Sequence, residues 1–263
     1  MIQSCHYEQV ALLITHYNRS KSLHRLLDTF KTMNTSFKEI IVSDDGSTEK
    51  CINELKELQN IYGFKLITAP KNSGLGNNIN KGQRAVTSPF TLYVQEDFVP
   101  LEGFNTNFQP CLKVMEEDKS IDIIRFYAYF KHPYTKKYNR ILNEMKFDIS
   151  LFKPNHLKFY VYSDHPHLRR NNFIEKFGNY KEGFDVNITE FDMCLSFLKR
   201  KGKGLLMNDF KAMFDQFNSA EEPSTVNRQV WKERKSFLIF ALRAVYLKFR
   251  LVKNSIQLMR YKI

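Results

Sequence analysis

The chain has 263 residues, of which 43% are hydrophobic and 14% aromatic, so it is not a disordered protein, which would lack the apolar surface that offsets chain entropy. Its formal net charge of +12 indicates a partner that carries negative charge: a phosphate-bearing substrate, an anionic lipid surface or a nucleic acid. The four cysteines are scattered and form no CxxC pair, which argues against a zinc knuckle or a disulfide framework and favours a reducing cytosol.

The ends of the chain and its apolar runs bear on localisation. The first eight residues are largely polar, and no uncharged apolar stretch approaches the ~18 residues that a membrane-spanning helix requires. We therefore expect a cytoplasmic protein that can sit peripherally on the inner face of the cell membrane without crossing it.

The first hundred residues alternate between short β-branched runs and helical patterns, which predicts parallel βαβ units. Strands are predicted at 10–15, 39–43, 64–68 and 90–94, and an amphipathic helix begins at Ser20. Pro70, Asn72, Gly74 and Gly76 predict a loop after the third strand. Polar turns follow the strands, at the edge where open α/β sheets place their ligand crevice.

The second half is less regular. Residues 121–162 are rich in Phe and Tyr and predict strands, residues 171–178 predict a short helix, and residues 190–201 predict a longer one. We predict one domain over 1–218, with halves at 1–100 and 101–218, followed by a helical tail at 219–263.

Two acidic turns are the candidate binding sites of the first half. The turn Asp44-Asp45-Gly46-Ser47 can accept hydrogen bonds from a base imide or from ribose hydroxyls, although an ordinary Asp-Gly turn is the alternative. The run Gln95-Glu96-Asp97 offers hard oxygen ligands of the kind that suit Mg²⁺ or Mn²⁺ bridging two phosphates, and a solvated strand end is the alternative.

Four polar stretches, each after a predicted strand, resemble in order the donor half of a family 2 glycosyltransferase. They are Thr15-His16-Tyr17-Asn18-Arg19, Ser43-Asp44-Asp45-Gly46-Ser47, Asn72-Ser73-Gly74 to Gly82, and Gln95-Glu96-Asp97. The resemblance implies a GT-A fold, a Rossmann-like mixed sheet flanked by helices, with Mn²⁺ or Mg²⁺ on Asp97. It makes 1–218 a catalytic domain, with 1–100 as the donor half and 101–218 as the acceptor half. It also implies a set of residues around the donor nucleotide: Thr15, Tyr17, Asn18, Arg19, Asp44, Asp45, Asn72, Gly74, Lys81 and Glu96.

Two stretches of the donor half depart from the family pattern. Gln95 takes the place of the first acid of the family's DxD, so the metal would either rest on Asp97 with Glu96 or be bound weakly. The run 77–80 replaces the usual Ala-Arg-Asn, which leaves Lys81 or Arg84 as the phosphate partner.

The acceptor half must supply a base for an inverting transfer, since one carboxylate has to remove the proton of the attacking hydroxyl. The stretch from Leu168 to Asp192 resembles the family segment that leads into its Glu-Asp base motif, and Glu190 stands at the place of the base. We therefore predict Glu190 and Asp192 as the catalytic residues. The alternative for Glu190 is a charge that complements a helix N-terminus.

The tail, 228–260, is basic and apolar. Its cations fall on one helical face, and they are Arg228, Lys232, Lys235, Arg243, Arg250, Lys253 and Arg260. Such a helix can lie in an anionic bilayer interface, or it can pack on the catalytic domain with a solvated basic edge.

Together these features predict a glycosyltransferase that moves a sugar from a nucleotide-sugar donor, with a UDP-sugar favoured by the resemblance, to a carbohydrate or lipid-linked saccharide acceptor. A nucleotidyltransferase would share the sheet but normally needs a Gly-rich loop after its first strand, and residues 15–20 contain no glycine. A nucleic-acid-binding protein would explain the net positive charge. However, acidic rather than basic side chains line the predicted crevice, so we expect no nucleic acid partner.

Overall fold

The computed structural model describes residues 4–150, 152–219, 221–222 and 237–262, with side chains from 245 onward in the last range. Eleven strands are seen in these ranges: β1 Cys5–His16, β2 Thr35–Asp44, β3 Lys65–Ile67, β4 Phe90–Gln95, β5 Phe98–Pro100, β6 Ile123–Arg125, β7 Thr135–Lys137, β8 Leu142–Met145, β9 His167–Arg170, β10 Gly204–Met207 and β11 Phe214–Gln216.

The α-helices of the described residues are α1 Ser20–Thr32, α2 Glu49–Tyr62, α3 Gly74–Arg84, α4 Phe104–Glu117, α5 Phe173–Phe177, α6 Val186–Lys199 and α7 Phe237–Arg260. A short 3₁₀ helix covers His156–Phe159. None of the described helices is long and apolar enough to cross a membrane.

Nine strands form one mixed sheet in the order β3-β2-β1-β4-β9-β6-β10-β8-β7. β1 to β4 are parallel, as predicted, and β9 inserts antiparallel between β4 and β6. The sheet therefore takes strands from both predicted halves of the chain. The boundaries of those halves stay a prediction.

The continuous apolar run of β1 reflects burial on both faces. Leu12 and Ile14 belong to one hydrophobic cluster, whereas Ala11 and Leu13 belong to the cluster on the opposite face. Successive side chains of a strand point to opposite faces, so a parallel strand covered by helices on both sides needs apolar residues at every position.

One sequence prediction was wrong in the donor half: α3 begins at Gly74, where we had predicted a continuing loop. The glycines of this segment suggested a loop, but in the structure they allow the helix to pack closely against its neighbours. A Cβ on Gly76 would lie 2.0 Å from the Lys181 carbonyl oxygen. Gly76 thus lets α3 approach the backbone at Lys181, more than a hundred residues later in the chain.

The middle segment, predicted as strands, contains only short ones, β6 to β8, with irregular chain between them. It is anchored by aromatic packing: the Phe147 ring lies 5.2 Å from the ring of Phe159 in the 3₁₀ helix. Phe152, on the loop between them, is 98% exposed.

The described part of the tail is the helix α7; residues 228–236 of the predicted tail helix lie outside the described residues. Leu251 and Leu258 pack against Phe159 and Leu195, so α7 lies on the 3₁₀ helix and α6. Lys199 Nζ donates to the carbonyl oxygens of Leu258 and Met259, at 3.4 and 3.3 Å, which caps the end of the helix.

Candidate active site

The polar turns predicted to meet do lie at one edge of the sheet. His16 is level with Asp44 across β1 and β2, and Thr15 is level with Gln95 across β1 and β4. Because these strands are parallel, their carboxyl ends open on the same crevice.

Asp44 is fully buried, and both of its carboxylate oxygens are engaged within the chain. Oδ1 accepts from His16 Nδ1 at 2.8 Å, and Oδ2 accepts from the backbone N–H groups of Gly46 and Ser47 at 3.1 and 3.0 Å. Burial raises its pKa, but the hydrogen bonds from His16 and Ser47 outweigh burial, and the net pKa is lowered. Asp44 therefore fixes the turn from inside.

Asp45 links that turn to the start of α3. Its two oxygens accept from the backbone N–H groups of Ser73 and Gly74, each at 2.9 Å. The carboxylate thus satisfies donors at a helix N-terminus, which would otherwise be unpaired. Burial is the largest influence on Asp45 and raises its pKa, even with those donors and Lys81 nearby.

The other donor residues predicted after β2 and β3 lie in the same linked loops. Asn72 Oδ1 accepts from the Gly74 N–H at 3.1 Å, and the Lys81 ammonium donates to the Asp44 carbonyl oxygen. Burial lowers the pKa of Lys81. The structure therefore brings Asn72, Gly74 and Lys81 beside Asp44 and Asp45.

The loop after β1 is tied to the loop after β2. The Asn18 N–H donates to Ser47 Oγ at 2.8 Å, and Asn18 Oδ1 accepts from the Thr48 N–H at 2.8 Å. Asn18 has a positive φ of 53°, which Asn tolerates better than most residues. Thr15 Oγ1 lies 3.0 Å from the Tyr93 hydroxyl, and Tyr17, in the same loop, is half-buried.

Glu96 and Asp97 form a buried acidic pair with Arg19 against it. Arg19 Nη1 lies 3.4 Å from Glu96 Oε1 and 3.4 Å from Asp97 Oδ2. β11 pairs with β5, and this pairing brings Gln216 Nε2 to within 2.8 Å of Asp97 Oδ2. Burial, followed by the Asp97 charge, raises the pKa of Glu96.

The second oxygen of Asp97, Oδ1, is buried and has no hydrogen-bond partner in the part of the chain that the structure describes. A buried carboxylate oxygen without a donor is costly unless a ligand completes it, so Asp97 suits a divalent cation, with Glu96 as a neighbouring ligand. No three His, Cys, Asp or Glu side chains cluster as a metal site in the described ranges. A two-carboxylate site is typical of Mg²⁺ sites completed by phosphates and water.

Glu190 lies on α6 and is held by the segment that precedes β9. Its Oε1 accepts from Ser163 Oγ at 2.7 Å and from the Asp164 N–H at 3.3 Å. Since β9 is antiparallel to β4, that preceding segment lies at the carboxyl end of β4, on the side of the crevice.

Asp192, the second predicted catalytic residue, is bound elsewhere. Its Oδ1 lies 2.7 Å from Lys181 Nζ, and its Oδ2 accepts from the Tyr261 hydroxyl beyond α7 at 3.1 Å. Residues two apart on a helix differ by about 200° in direction, so Asp192 cannot share the environment of Glu190. The structure gives Asp192 the contacts of an anchor for the tail.

His165 connects the two acidic regions. Its ring lies 6.0 Å from the ring of Phe98, the residue after Asp97, and its Nδ1 lies 3.0 Å from Ser163 Oγ. The metal candidate and the base candidate are thus joined by a short chain of contacts.

Sequence reasoning missed four residues of this region: His16 as the partner of Asp44, Gln216 as the donor to Asp97, and Ser163 and Asp164 as the partners of Glu190. Only His16 carried a signal, because it stands in the polar stretch after the first strand. The other three come close through strand pairing between distant segments, which residue spacing does not reveal.

Comparison with known proteins identifies the family of the chain and its fold. The family profile described as "Glycosyl transferase family 2" matches residues 11–178, more than half of the chain. The poly-β-1,6-N-acetyl-D-glucosamine synthase of Staphylococcus epidermidis is 25% identical over 92 residues, which are 35% of this chain and 22% of the synthase. The chain thus spans under a quarter of that curated relative.

Two solved structures share the fold. TarS of S. aureus, residues 1–349 in complex with UDP-GlcNAc, aligns with a TM-score of 0.58 and 16% identity over 84% of this chain and 62% of that chain. The mannosyltransferase PcManGT of Pyrobaculum calidifontis, in complex with GDP-Man and Mn²⁺, aligns with a TM-score of 0.54 and 10% identity over 97% of this chain and 76% of that chain. The predicted GT-A fold is confirmed, and the chain belongs to glycosyl transferase family 2.

Proposed function

We propose that this protein transfers a sugar from a nucleotide-diphosphate sugar, with UDP-sugars as the first candidates, to an acceptor hydroxyl, with inversion at the anomeric carbon and with a divalent metal. The observation that carries the proposal is the buried Oδ1 of Asp97, which has no partner among the described residues and lies in the crevice on whose other side Glu190 is held. The family match, the UDP-GlcNAc bound to TarS and the Mn²⁺ bound to PcManGT support this reading.

The donor nucleoside would rest on the linked loops after β1, β2 and β3. Asp44 and Asp45 are bound within the chain, so their part is to hold these loops in shape for the base and ribose. Thr15, Tyr17 and Asn18 line the first loop, and Lys81 adds a positive charge beside Asp45. Asp97 with Glu96 would hold Mn²⁺ or Mg²⁺, which supplies charge neutralisation for the departing diphosphate.

Glu190 would act as the general base. The acceptor oxygen attacks the anomeric carbon, the bond from that carbon to the diphosphate breaks, and Glu190 takes the hydroxyl proton. Because Ser163 and the Asp164 N–H bind Oε1, the other oxygen of Glu190 is the one left to meet the acceptor.

The acceptor is proposed as a carbohydrate or a lipid-linked saccharide in surface polysaccharide synthesis. The similarity to a poly-β-1,6-N-acetyl-D-glucosamine synthase supports a saccharide acceptor. The net charge of +12 also suits an acceptor or a surface that carries phosphate.

The first experiment is a thermal-shift and calorimetric screen of UDP, GDP, dTDP and CDP, each with and without Mn²⁺, on the wild type and on Asp97→Asn. We expect metal-dependent binding of one diphosphate that is weakened in the variant. Absence of binding under every condition would overturn the transferase proposal and favour a protein that works by interaction alone.

We further propose that α7 rests on an anionic membrane surface. From residue 245 onward, where its side chains are described, its outward face carries five exposed apolar side chains within an arc of about 80°: Val245, Phe249, Val252, Ile256 and Met259. Exposed cations stand on both sides of this stripe, with Lys248 on one side and Lys253 and Arg260 on the other. An apolar stripe edged by cations complements an anionic bilayer interface.

This membrane proposal is tested by co-sedimentation with vesicles of anionic or zwitterionic lipid. Phe249→Glu with Val252→Glu should abolish binding to anionic vesicles, while Ile61→Glu, at an exposed apolar position of α2, should leave it unchanged. Equal binding by all three proteins, or no binding by the wild type, would reject the membrane role and leave the donor proposal untouched.

A further inference from the structure

The segment just before β9 makes contacts that the transferase proposal has not used. Asp164 is buried at 4% exposure, and its Oδ1 accepts from the Tyr162 hydroxyl at 2.6 Å. The Tyr162 hydroxyl lies 2.7 Å from the Tyr180 hydroxyl, which in turn accepts from Arg169 Nη1 at 2.5 Å. One side of the Asp164 carboxyl is therefore anchored in a buried network.

The second oxygen of that carboxyl differs from the first in its contacts. Asp164 Oδ2 is buried and has no hydrogen-bond partner among the residues that the structure describes. The backbone N–H of the same residue donates to Glu190 Oε1. A second carboxyl with an unpaired buried oxygen thus sits beside the proposed base, at a position where sequence spacing gave no sign of it.

We propose that Ser163 and Asp164 are the positioning residues of Glu190: they fix one oxygen of the base, and the Asp164 carboxyl acts as its neutral, proton-bearing neighbour. This inference rests on the proposed function, since it assigns a partner to the proposed base. The anchoring through Tyr162, Tyr180 and Arg169 keeps Asp164 in place while Glu190 changes its protonation state.

The charges around Asp164 agree with this role. Burial, followed by the Glu190 charge, raises the pKa of Asp164 to about 8, even with two guanidinium groups nearby. Near neutral pH the Asp164 carboxyl therefore carries a proton and places no second negative charge beside Glu190. The remaining groups that face Asp164 are Arg125 on β6, Arg169 on β9, Cys194 on α6, and Tyr93, Tyr162 and Tyr180.

A pH dependence follows from this proton. The neutral form of Asp164 predominates below its raised pKa and is lost as the pH rises through about 8. Above that pH two adjacent carboxylates repel each other, which displaces the Glu190 carboxylate from the acceptor and lowers the rate. The wild-type enzyme should therefore lose activity on the alkaline side.

The test follows release of nucleoside diphosphate from the donor that the wild type binds, with water as the acceptor, across pH 6 to 10. The variants are Asp164→Asn, Ser163→Ala and, as a control, Asp209→Asn, which changes an exposed acid. We expect Asp164→Asn and Ser163→Ala to lower kcat by about 10-fold to 100-fold through misplacement of the base, with diphosphate affinity unchanged. The alkaline decline should persist in Ser163→Ala and Asp209→Asn and vanish in Asp164→Asn.

Three outcomes would overturn the positioning role while leaving the transferase proposal intact: a flat wild-type profile above pH 8, an alkaline decline that persists in Asp164→Asn, or a variant whose loss is entirely in diphosphate affinity. If the wild type neither binds a diphosphate nor hydrolyses a donor, the proposed function fails first. Far-UV and near-UV circular dichroism of Asp164→Asn separates a folding defect from a change in kcat. A variant that misfolds is replaced by Tyr162→Phe, which removes the donor to Asp164 and should shift the alkaline decline.

Discussion

The buried carboxylates of the two sides of the crevice differ in how completely the chain satisfies them. After β2, Asp44 and Asp45 have both oxygens bound by donors from their own and neighbouring loops. After β4 and before β9, Asp97 and Asp164 each keep one buried oxygen without a partner among the described residues. Acidic residues that look alike in the sequence thus fall into two groups. Asp44 and Asp45 hold the loops of the site in shape, whereas Asp97 and Asp164 can each bind a ligand or a proton.

This difference has an energetic reason. A buried carboxylate that accepts several N–H bonds stabilises the fold, whereas an unpaired buried oxygen costs free energy until something completes it. Chains keep such oxygens at places where a ligand or a proton-sharing group supplies the missing contact. The contrast predicts that substitutions on the two sides affect different measurements.

The largest effect is expected at the base. Glu190→Gln should lower the rate of transfer by about 10²-fold to 10⁴-fold, because the amide cannot take the acceptor proton, and it should leave diphosphate affinity unchanged. Asp192→Asn is the matched control on the same helix, and we expect a change of only a few-fold because Asp192 binds Lys181 and Tyr261. Steady-state kinetics and calorimetry on both variants measure this. Equal losses would return Asp192 to the catalytic machinery.

An intermediate effect is expected at Asp44, whose two carboxylate oxygens both accept hydrogen bonds within the chain. Asp44→Asn should lower the free energy of unfolding by about 1–3 kcal/mol, since the amide group places a donor against donors from His16 or from the Gly46-Ser47 turn. The folded state lowers the pKa of Asp44, so its contribution is present above the unfolded pKa and is lost as pH falls through the folded one.

Urea unfolding at pH 7 and at lower pH checks both parts of that prediction. The difference in stability between wild type and Asp44→Asn should shrink on acidification. A difference that is constant with pH would show that the carboxylate charge of Asp44 does not stabilise the loop.

The smallest effect on stability is expected at Asp97, whose Oδ1 has no hydrogen-bond partner among the described residues. Burial is the main cause of the raised pKa of Glu96, and the Asp97 charge adds to it; Asp97→Asn removes that added repulsion, so metal-free stability should change by less than about 1 kcal/mol. The same variant should lose the rise in Tm that Mn²⁺ with a nucleoside diphosphate gives the wild type. A large loss of metal-free stability would place Asp97 with Asp44, as a structural acid.

Much of the donor half could be predicted from the sequence. The β1 to β4 strands, the Ser20 start of α1 and the position of Asp44 and Asp97 at strand ends all follow from local patterns of apolar and polar residues. The start of α3 at Gly74 was missed because glycines normally end a helix. Here Gly76 is needed because the Lys181 backbone lies too close for a larger side chain, and that contact exists only in the folded chain.

The sequence by itself determined that parallel βαβ units would form and that their acidic turns would share one edge, because parallel strands align their carboxyl ends by geometry alone. Only the tertiary structure decided which of these carboxylates have hydrogen-bond donors at both oxygens. The antiparallel insertion of β9 brought Ser163 and Asp164 to Glu190, and the pairing of β11 with β5 brought Gln216 to Asp97. These contacts join segments 26 to 119 residues apart, and hydrogen-bond partners at such separations are set by packing of the whole sheet, which no local pattern encodes.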